Sequence, residues 1–339
     1  MIGLVNMFDG KKILITGGTG SLGQALTKRL LKFDVDTIRI YSRNETNQIS
    51  MNDNFDDPKL RFLIGDIRDL SRLDRAMEDI DIVFHTAALK HVPLIEYNPF
   101  EAIKTNVIGS QNVIDASLNA DVDICIGVGT DKSVSPLNTY GATKLLTEKL
   151  FVTAQNYLNP KKHKTKFAAL RYGNVLGSSG SVVPKFIEQI QKNKKITITD
   201  PNMTRFSITM DEALDFILNS VAQTKGSEVF IPKIRAYSVE DLKNALKELL
   251  DVKDEKIIGI REGEKMHEIL INEDEVKYSW ELNKNYLIFN GTPTETTLSK
   301  YDGIKSPTNL HEYSSERAEK ISKDELKQVL IKSELIKEL

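Results

Sequence analysis

The chain has 339 residues, a formal net charge of -2, 40% hydrophobic and 28% charged residues. That length and apolar content support a sizeable core, and the near-neutral charge excludes a basic nucleic-acid binder. No apolar run reaches the roughly 18 residues of a membrane span and the N-terminus has no secretion pattern, so a soluble, cytoplasmic protein with no membrane partner is expected.

The first predicted element is the strand Ile13-Leu14-Ile15, followed by Thr16-Gly17-Gly18-Thr19-Gly20-Ser21-Leu22-Gly23 and a helical pattern of Leu22, Ala25, Leu26 and Leu30. A strand, a tight glycine turn and a helix N-terminus in this order cradle a pyrophosphate: glycines let backbone approach it and the helix amides attract it. Gly17, Thr19, Gly20, Ser21, Leu22 and Gly23 are therefore cofactor-binding candidates. The second strand, Thr37 to Tyr41, ends at Ser42-Arg43, where a dinucleotide site meets the adenosine ribose. An acid there would hold the ribose hydroxyls of NAD, whereas an arginine suits the 2′-phosphate of NADP, so NADP is expected over NAD. The competing reading is a solvated loop arginine, with Glu45 close by.

Strands Leu60 to Ile64 and Asp81 to Phe84 lead into Gly65-Asp66-Ile67 and His85-Thr86-Ala87-Ala88-Leu89-Lys90. Carboxyl ends of parallel strands are where open α/β sheets bind ligands, which assigns Asp66 and Ile67 to the adenine and Ala87, Ala88 and Lys90 to phosphates and ribose. Asp66 as a mere cap is the alternative. Helices are predicted around Pro99 to Leu118 and Asn138 to Asn156, with apolar faces that include Val107, Val113 and Ile114 on the first and Leu145, Leu146 and Leu150 on the second.

Between them the buried strand Val122 to Val128 releases Thr130, Asp131 and Lys132, and the second helix carries Tyr140 and Lys144 four residues apart on one face. There the Lys144 ammonium would favour the ionised phenol. Alone, each pair reads as surface charge; together, beside a nucleotide site, they are catalytic candidates. Cys125, the single cysteine, lies in that strand as a buried thiol, and no disulfide within the chain is possible. The histidines at 85, 91, 163, 267 and 311 show no ligand spacing, so no metal is expected.

A strand from Phe167 to Arg171 precedes Tyr172 and Asn174, another runs Glu228 to Ile231, the stretch Asn290 to Ser315 is loop-rich, and Ser322 to Glu325 opens a final helix as a capping box. The fold expected is α/β, a Rossmann-like doubly wound parallel sheet with a smaller C-terminal substrate-binding lobe. Residues 1–173 and 207–232 would form the NADP domain, and 174–206 with 233–339 the substrate lobe.

The GxxGxxG spacing with Tyr140-x-x-x-Lys144 resembles the extended short-chain dehydrogenase/reductase family. Within it, Thr130-Asp131-Lys132 resembles the 4,6-dehydratases; ordinary epimerases and reductases lack the acid and base, and hexose dehydratases carry Asp-Glu. Further segments resemble the inverting UDP-N-acetylglucosamine 4,6-dehydratases of polysaccharide and 6-deoxy amino sugar biosynthesis: Leu89-Lys90-His91-Val92-Pro93, Lys104-Thr105-Asn106, Arg171-Tyr172-Gly173-Asn174-Val175, Gly180-Ser181-Val182, Met203-Thr204-Arg205-Phe206 and Arg261 to Glu268. Gly129 and the run Ser133-Val134-Ser135 depart from that pattern, a serine being expected at 129.

The resemblance implies this chemistry: Tyr140, as phenolate, takes the 4-hydroxyl proton while hydride leaves C4 for NADP; Lys132, made neutral by burial and nearby cations, removes H5; Asp131, kept protonated, releases the 6-hydroxyl as water; hydride returns to C6. It also implies Tyr172 at the cofactor, Lys90, Asn174, Val182, Met203, Arg205, Arg261 and Glu264 at the substrate, inversion at C5, and a homo-oligomer, dimer or hexamer, formed through the two apolar helices. Those faces packing only on the sheet is the alternative. A retaining dehydratase or a C4-epimerase remains the alternative activity, and a non-catalytic NADP sensor a third.

Overall fold

Short apolar segments build the central sheet: β1 (Lys12–Thr16), β2 (Thr37–Ser42), β3 (Leu60–Ile64), β4 (Ile82–His85), β5 (Ile124–Val128) and β6 (Lys166–Leu170). All four residues of β4 are buried, as a parallel strand covered by helices on both faces requires. In this computed structural model residues 7–159, 161–178, 181–192, 194–250, 252, 254–306, 310–333 and 336 are described. Gly180 of the Gly180-Ser181-Val182 segment lies outside them, as do residues 307–309 of the stretch expected to be loop-rich.

The later strands are β7 (Asn174–Val175), β8 (Ile196–Ile198), β9 (Thr204–Ile208), β10 (Glu228–Pro232), β11 (Ala236–Ser238), β12 (Glu255–Ile257), β13 (Ile269–Ile271), β14 (Ser279–Leu282), β15 (Asn285–Phe289) and β16 (Tyr313–Ser314). The main sheet has the order β14-β15-β10-β6-β5-β4-β1-β2-β3. From β3 to β10 all pairs are parallel, and β15 and β14 close the edge antiparallel. Strand order reverses between β1 and β4, which opens a crevice at their carboxyl ends.

One expectation needs correction. Residues 233–339 do not all leave the sheet: β14 and β15 extend it, because Leu287 and Phe289 alternate inward and pack in the same core as Phe230 and Leu282. The described residues of 290–315 are loop-rich apart from the short helix Glu295–Leu298 and β16, and Tyr301 anchors them, buried with its hydroxyl on Glu228.

The lobe has its own core of Phe186, Met203, Tyr237, Leu242 and Leu246 under the helices Val182–Gln191, Val239–Leu249 and Lys323–Lys332. Ser322 and Glu325 form the expected capping box on the last of these.

Arg171 joins the two parts. Its wholly buried guanidinium donates to Glu148 at 2.9 and 2.5 Å, to Glu275 at 2.9 Å and to the Leu270 carbonyl at 2.8 Å. It thereby ties the end of β6 to the helix Thr139–Ala154 and to the segment after β13. A buried ion cluster of this kind is tolerable only when every donor is used, as here.

Candidate active site

The crevice at the carboxyl ends of the strands is a cleft of about 1170 Å³. Its glycine loop is close-packed: Gly17 has φ +67°, its amide donates to the Tyr41 carbonyl at 2.7 Å, and a Cβ there would lie 2.8 Å from Ala87 Cα. A Cβ on Gly23 would meet Gly18 Cα at 2.5 Å, so the helix Ser21–Leu30 starts hard against the turn. No acidic residue occupies its first turn, which leaves amide donors facing an anion. The cradle fits the pyrophosphate of a dinucleotide.

Every cofactor candidate lines the cleft: Gly17, Thr19, Gly20, Ser21, Leu22, Gly23, then Ser42, Arg43, Asp66 and Ile67, then Ala87, Ala88, Lys90, Tyr140, Lys144 and Tyr172. Arg43 is 55% exposed at the far end, 3.8 Å from Asp66. Burial pushes the Asp66 carboxyl up, but hydrogen bonds from Arg68 outweigh it and hold it below the usual range. Asn44 and Asn47, unremarked in the sequence, stand beside Arg43 on the same wall.

The catalytic candidates converge where β5 ends. Thr130 caps a single helical turn, Asp131–Ser133, and its hydroxyl donates to Asp131 Oδ1 at 3.0 Å. Lys132 Nζ donates to the same Oδ1 at 3.0 Å and to Asn174 Oδ1 at 3.1 Å, and lies 3.6 Å from Glu268 Oε1. Asp131 is wholly buried, and its Oδ2 has no partner. Gly141 lets the Tyr140 helix approach this turn: a Cβ there would sit 2.2 Å from the Lys132 carbonyl oxygen.

Burial and the Glu268 charge lift the Asp131 carboxyl against the pull of Lys132, the direction a general acid needs. Lys132 departs from expectation. Burial lowers it, but Asp131 and Glu268 outweigh burial and hold the ammonium above the ordinary lysine range, toward the charged form and not the neutral one. Burial also raises the Tyr140 phenol; Lys132 is the cation that opposes this, helped by the hydrogen bond between Tyr140 and Thr130. Lys144, the cation expected beside the phenol, instead donates to the Val128 carbonyl at 2.5 Å, and burial brings it down to about 8.

Asn106 braces the wall opposite. It accepts from the Leu89 amide at 2.8 Å and donates to the Leu89 carbonyl at 2.9 Å and to Thr143 at 3.0 Å. It sits in the π-helical turn Ile103–Ile108, inside what the sequence reads as continuous helix. An asparagine on an otherwise apolar helical face was the signal for it.

Of the substrate candidates, Lys90 and Asn174 line the cleft. Val182 begins the lobe helix, and Arg261 pairs with Glu264 at 3.4 Å in the neighbouring segment. Lys185 of that helix feels both, which places the helix and 261–264 side by side at the lobe rim. Met203 is wholly buried in the lobe core, and Arg205 donates to the carbonyls of Thr204 at 2.8 Å and Met266 at 3.0 Å. These five do not reach the cleft wall described above. Glu268, missed as a site residue, is the carboxylate brought to Lys132; an acid immediately before the apolar strand β13 was its only local mark.

The model of the polysaccharide biosynthesis protein family matches residues 13–290. The chain belongs to that family. This member is 49% identical over 284 residues to a protein of Campylobacter jejuni subsp. jejuni serotype O:2 named UDP-N-acetylglucosamine 4,6-dehydratase (inverting), covering 83% of this chain and 84% of the relative. It is 39% identical over 338 residues to a protein of Rickettsia massiliae named UDP-glucose 4-epimerase, covering 98% of each. The X-ray structure of Pen from Bacillus thuringiensis superposes with a TM-score of 0.90 at 38% identity, over 97% of this chain and 99% of that one. The family member is thus an extended short-chain dehydrogenase/reductase in fold and in cleft, and no helix among its described residues is long and apolar enough to cross a membrane.

Proposed function

We propose that the chain catalyses NADP-dependent 4,6-dehydration of UDP-N-acetylglucosamine to a UDP-4-keto-6-deoxy-N-acetylhexosamine, with inversion at C5. The observation that carries this reading is the hydrogen-bonded Asp131–Lys132 pair beside Tyr140, with Asp131 wholly buried, because elimination of a 6-hydroxyl needs an acid and a base that epimerisation at C4 does not. The Campylobacter relative supports it; the Rickettsia relative favours the epimerase as the second reading.

Gly17 to Gly23 would hold the pyrophosphate and Arg43 the 2′-phosphate, and the bound nicotinamide supplies the oxidation at C4 and the reduction at C6. Tyr140 Oη takes the proton of the 4-hydroxyl once it is ionised, the Lys132 charge and the Thr130 hydrogen bond opposing the burial that raises its phenol. The new ketone acidifies H5. Asp131 and Lys132 then work as one unit: moving a proton along their 3.0 Å hydrogen bond makes Lys132 a neutral base for H5 and Asp131 a protonated acid for O6 at once. After water has left and C6 has been reduced, a solvent-derived proton delivered to the opposite face of C5 completes the inverted product. Arg205, Arg261 and Glu264 are assigned to the uridine diphosphate, reached when the lobe rim closes on it.

Incubation with UDP-N-acetylglucosamine and NADP in heavy water, followed by proton NMR, tests the reading. A new C6 methyl signal with deuterium at C5 is expected, and ring couplings report inversion. A galacto-configured product alone would replace it with the epimerase.

A further inference from the structure

Glu268 is held unusually firmly for a residue at a strand edge. Its amide donates to Ser315 Oγ at 2.8 Å and its carbonyl accepts from the Ser315 amide at 2.7 Å, while Ser315 is itself hydrogen-bonded to Thr204. The side chain is 4% exposed, yet its Oε2 has no hydrogen-bond partner. Oε1 lies 3.6 Å from Lys132 Nζ and 3.9 Å from Arg205 Nε. A buried carboxylate with an unused oxygen is costly, and a fold keeps one where the charge itself has work to do.

Resting on the dehydratase reading, we infer that Glu268 is a positioning residue: it holds Lys132 between two carboxylates and sets the pH range over which the Asp131–Lys132 pair keeps the one proton it must share. The Glu268 charge favours every protonated state of the pair. It lifts Asp131 and Lys132 together. The other groups facing this cluster are Thr130, Tyr140, Tyr237, Arg205 and Lys265; the two cations, after burial, work with Lys132 to hold Glu268 below its usual range and so keep it the anion of the three. With Glu268 neutralised, the shared proton leaves at lower pH, and the active window moves toward acid.

The experiment is the pH profile of kcat/KM for wild type, Glu268→Gln and Glu268→Asp, each checked for fold by circular dichroism. For Glu268→Gln the alkaline limb is expected to fall by about one to two pH units, with the loss of rate confined to alkaline pH and carried by kcat more than by KM, and Glu268→Asp is expected to restore most of the shift. In parallel, the rate of Lys132 acetylation by acetic anhydride against pH, read by peptide mass spectrometry, reports the same shift with no turnover. An unmoved profile and unmoved acetylation curve in folded Glu268→Gln would overturn the inference. Wild type that makes no C6 methyl product would overturn the dehydratase reading instead, leaving the acetylation curve to decide the role of Glu268.

Discussion

At Gly129 the departure from the expected serine has a local cause. Its amide donates to the Leu170 carbonyl at 2.7 Å, and a Cβ would come within 2.3 Å of that same oxygen, which is backbone and cannot rotate aside. Gly129→Ser is therefore expected to displace the end of β5 and with it Thr130, costing on the order of 1–3 kcal/mol of stability and at least about tenfold in kcat. Thermal melts together with steady-state rates check this; a variant with unchanged melting and rate would show that the backbone here yields. Lys132 shows the other limit of residue-level reasoning. Its identity and neighbour in sequence were legible, but its charge state depends on Glu268, a residue distant in sequence whose approach no spacing rule encodes.

At the scale of elements, the strands β1 to β6 and β10 were legible because each is a short apolar run ending in a turn, and the cleft-lining residues follow from where those strands end. The π-helical turn Ile103–Ile108 was not, since it goes with the contacts that buried Asn106 makes to Leu89 and Thr143, residues distant in sequence. Asn106→Ala strips partners from the Leu89 amide and carbonyl and from Thr143, so a loss of roughly 1–3 kcal/mol in stability and a weaker cofactor Kd are expected, Leu89 standing at the wall that carries Ala87, Ala88 and Lys90. Cofactor titration by fluorescence beside a thermal melt measures both; unchanged cofactor affinity would confine Asn106 to a packing role.

The whole molecule leaves apolar side chains uncovered on helices that pack together: Leu94, Tyr97, Phe100, Ile103, Ile108 and Leu146 are exposed, Tyr97 by 88%. Val113 and Ile114, on the same predicted face as Val107, are instead buried in the core, so the sheet takes one side of these helices and leaves the other. We propose that a second copy of the chain covers that side. Sedimentation velocity is expected to give a dimer or higher multiple, and Phe100→Glu with Leu146→Glu a smaller species of unchanged secondary structure; a wild-type monomer at tens of micromolar would remove the proposal.

The sequence by itself determined the strands β1 to β6 and β10, the glycine cradle, and the close spacing of Thr130, Asp131, Lys132, Tyr140 and Lys144, because apolar periodicity, turn chemistry and closely spaced reactive groups are local properties. Tertiary structure alone decided that β14 and β15 return to the sheet, that Arg171 clamps three segments, that Lys144 faces the Val128 carbonyl, and that Glu268 stands against Lys132. These depend on contacts between residues far apart in the chain, and on the low dielectric of a buried site, where the charge of one neighbour outweighs the intrinsic tendency of a side chain.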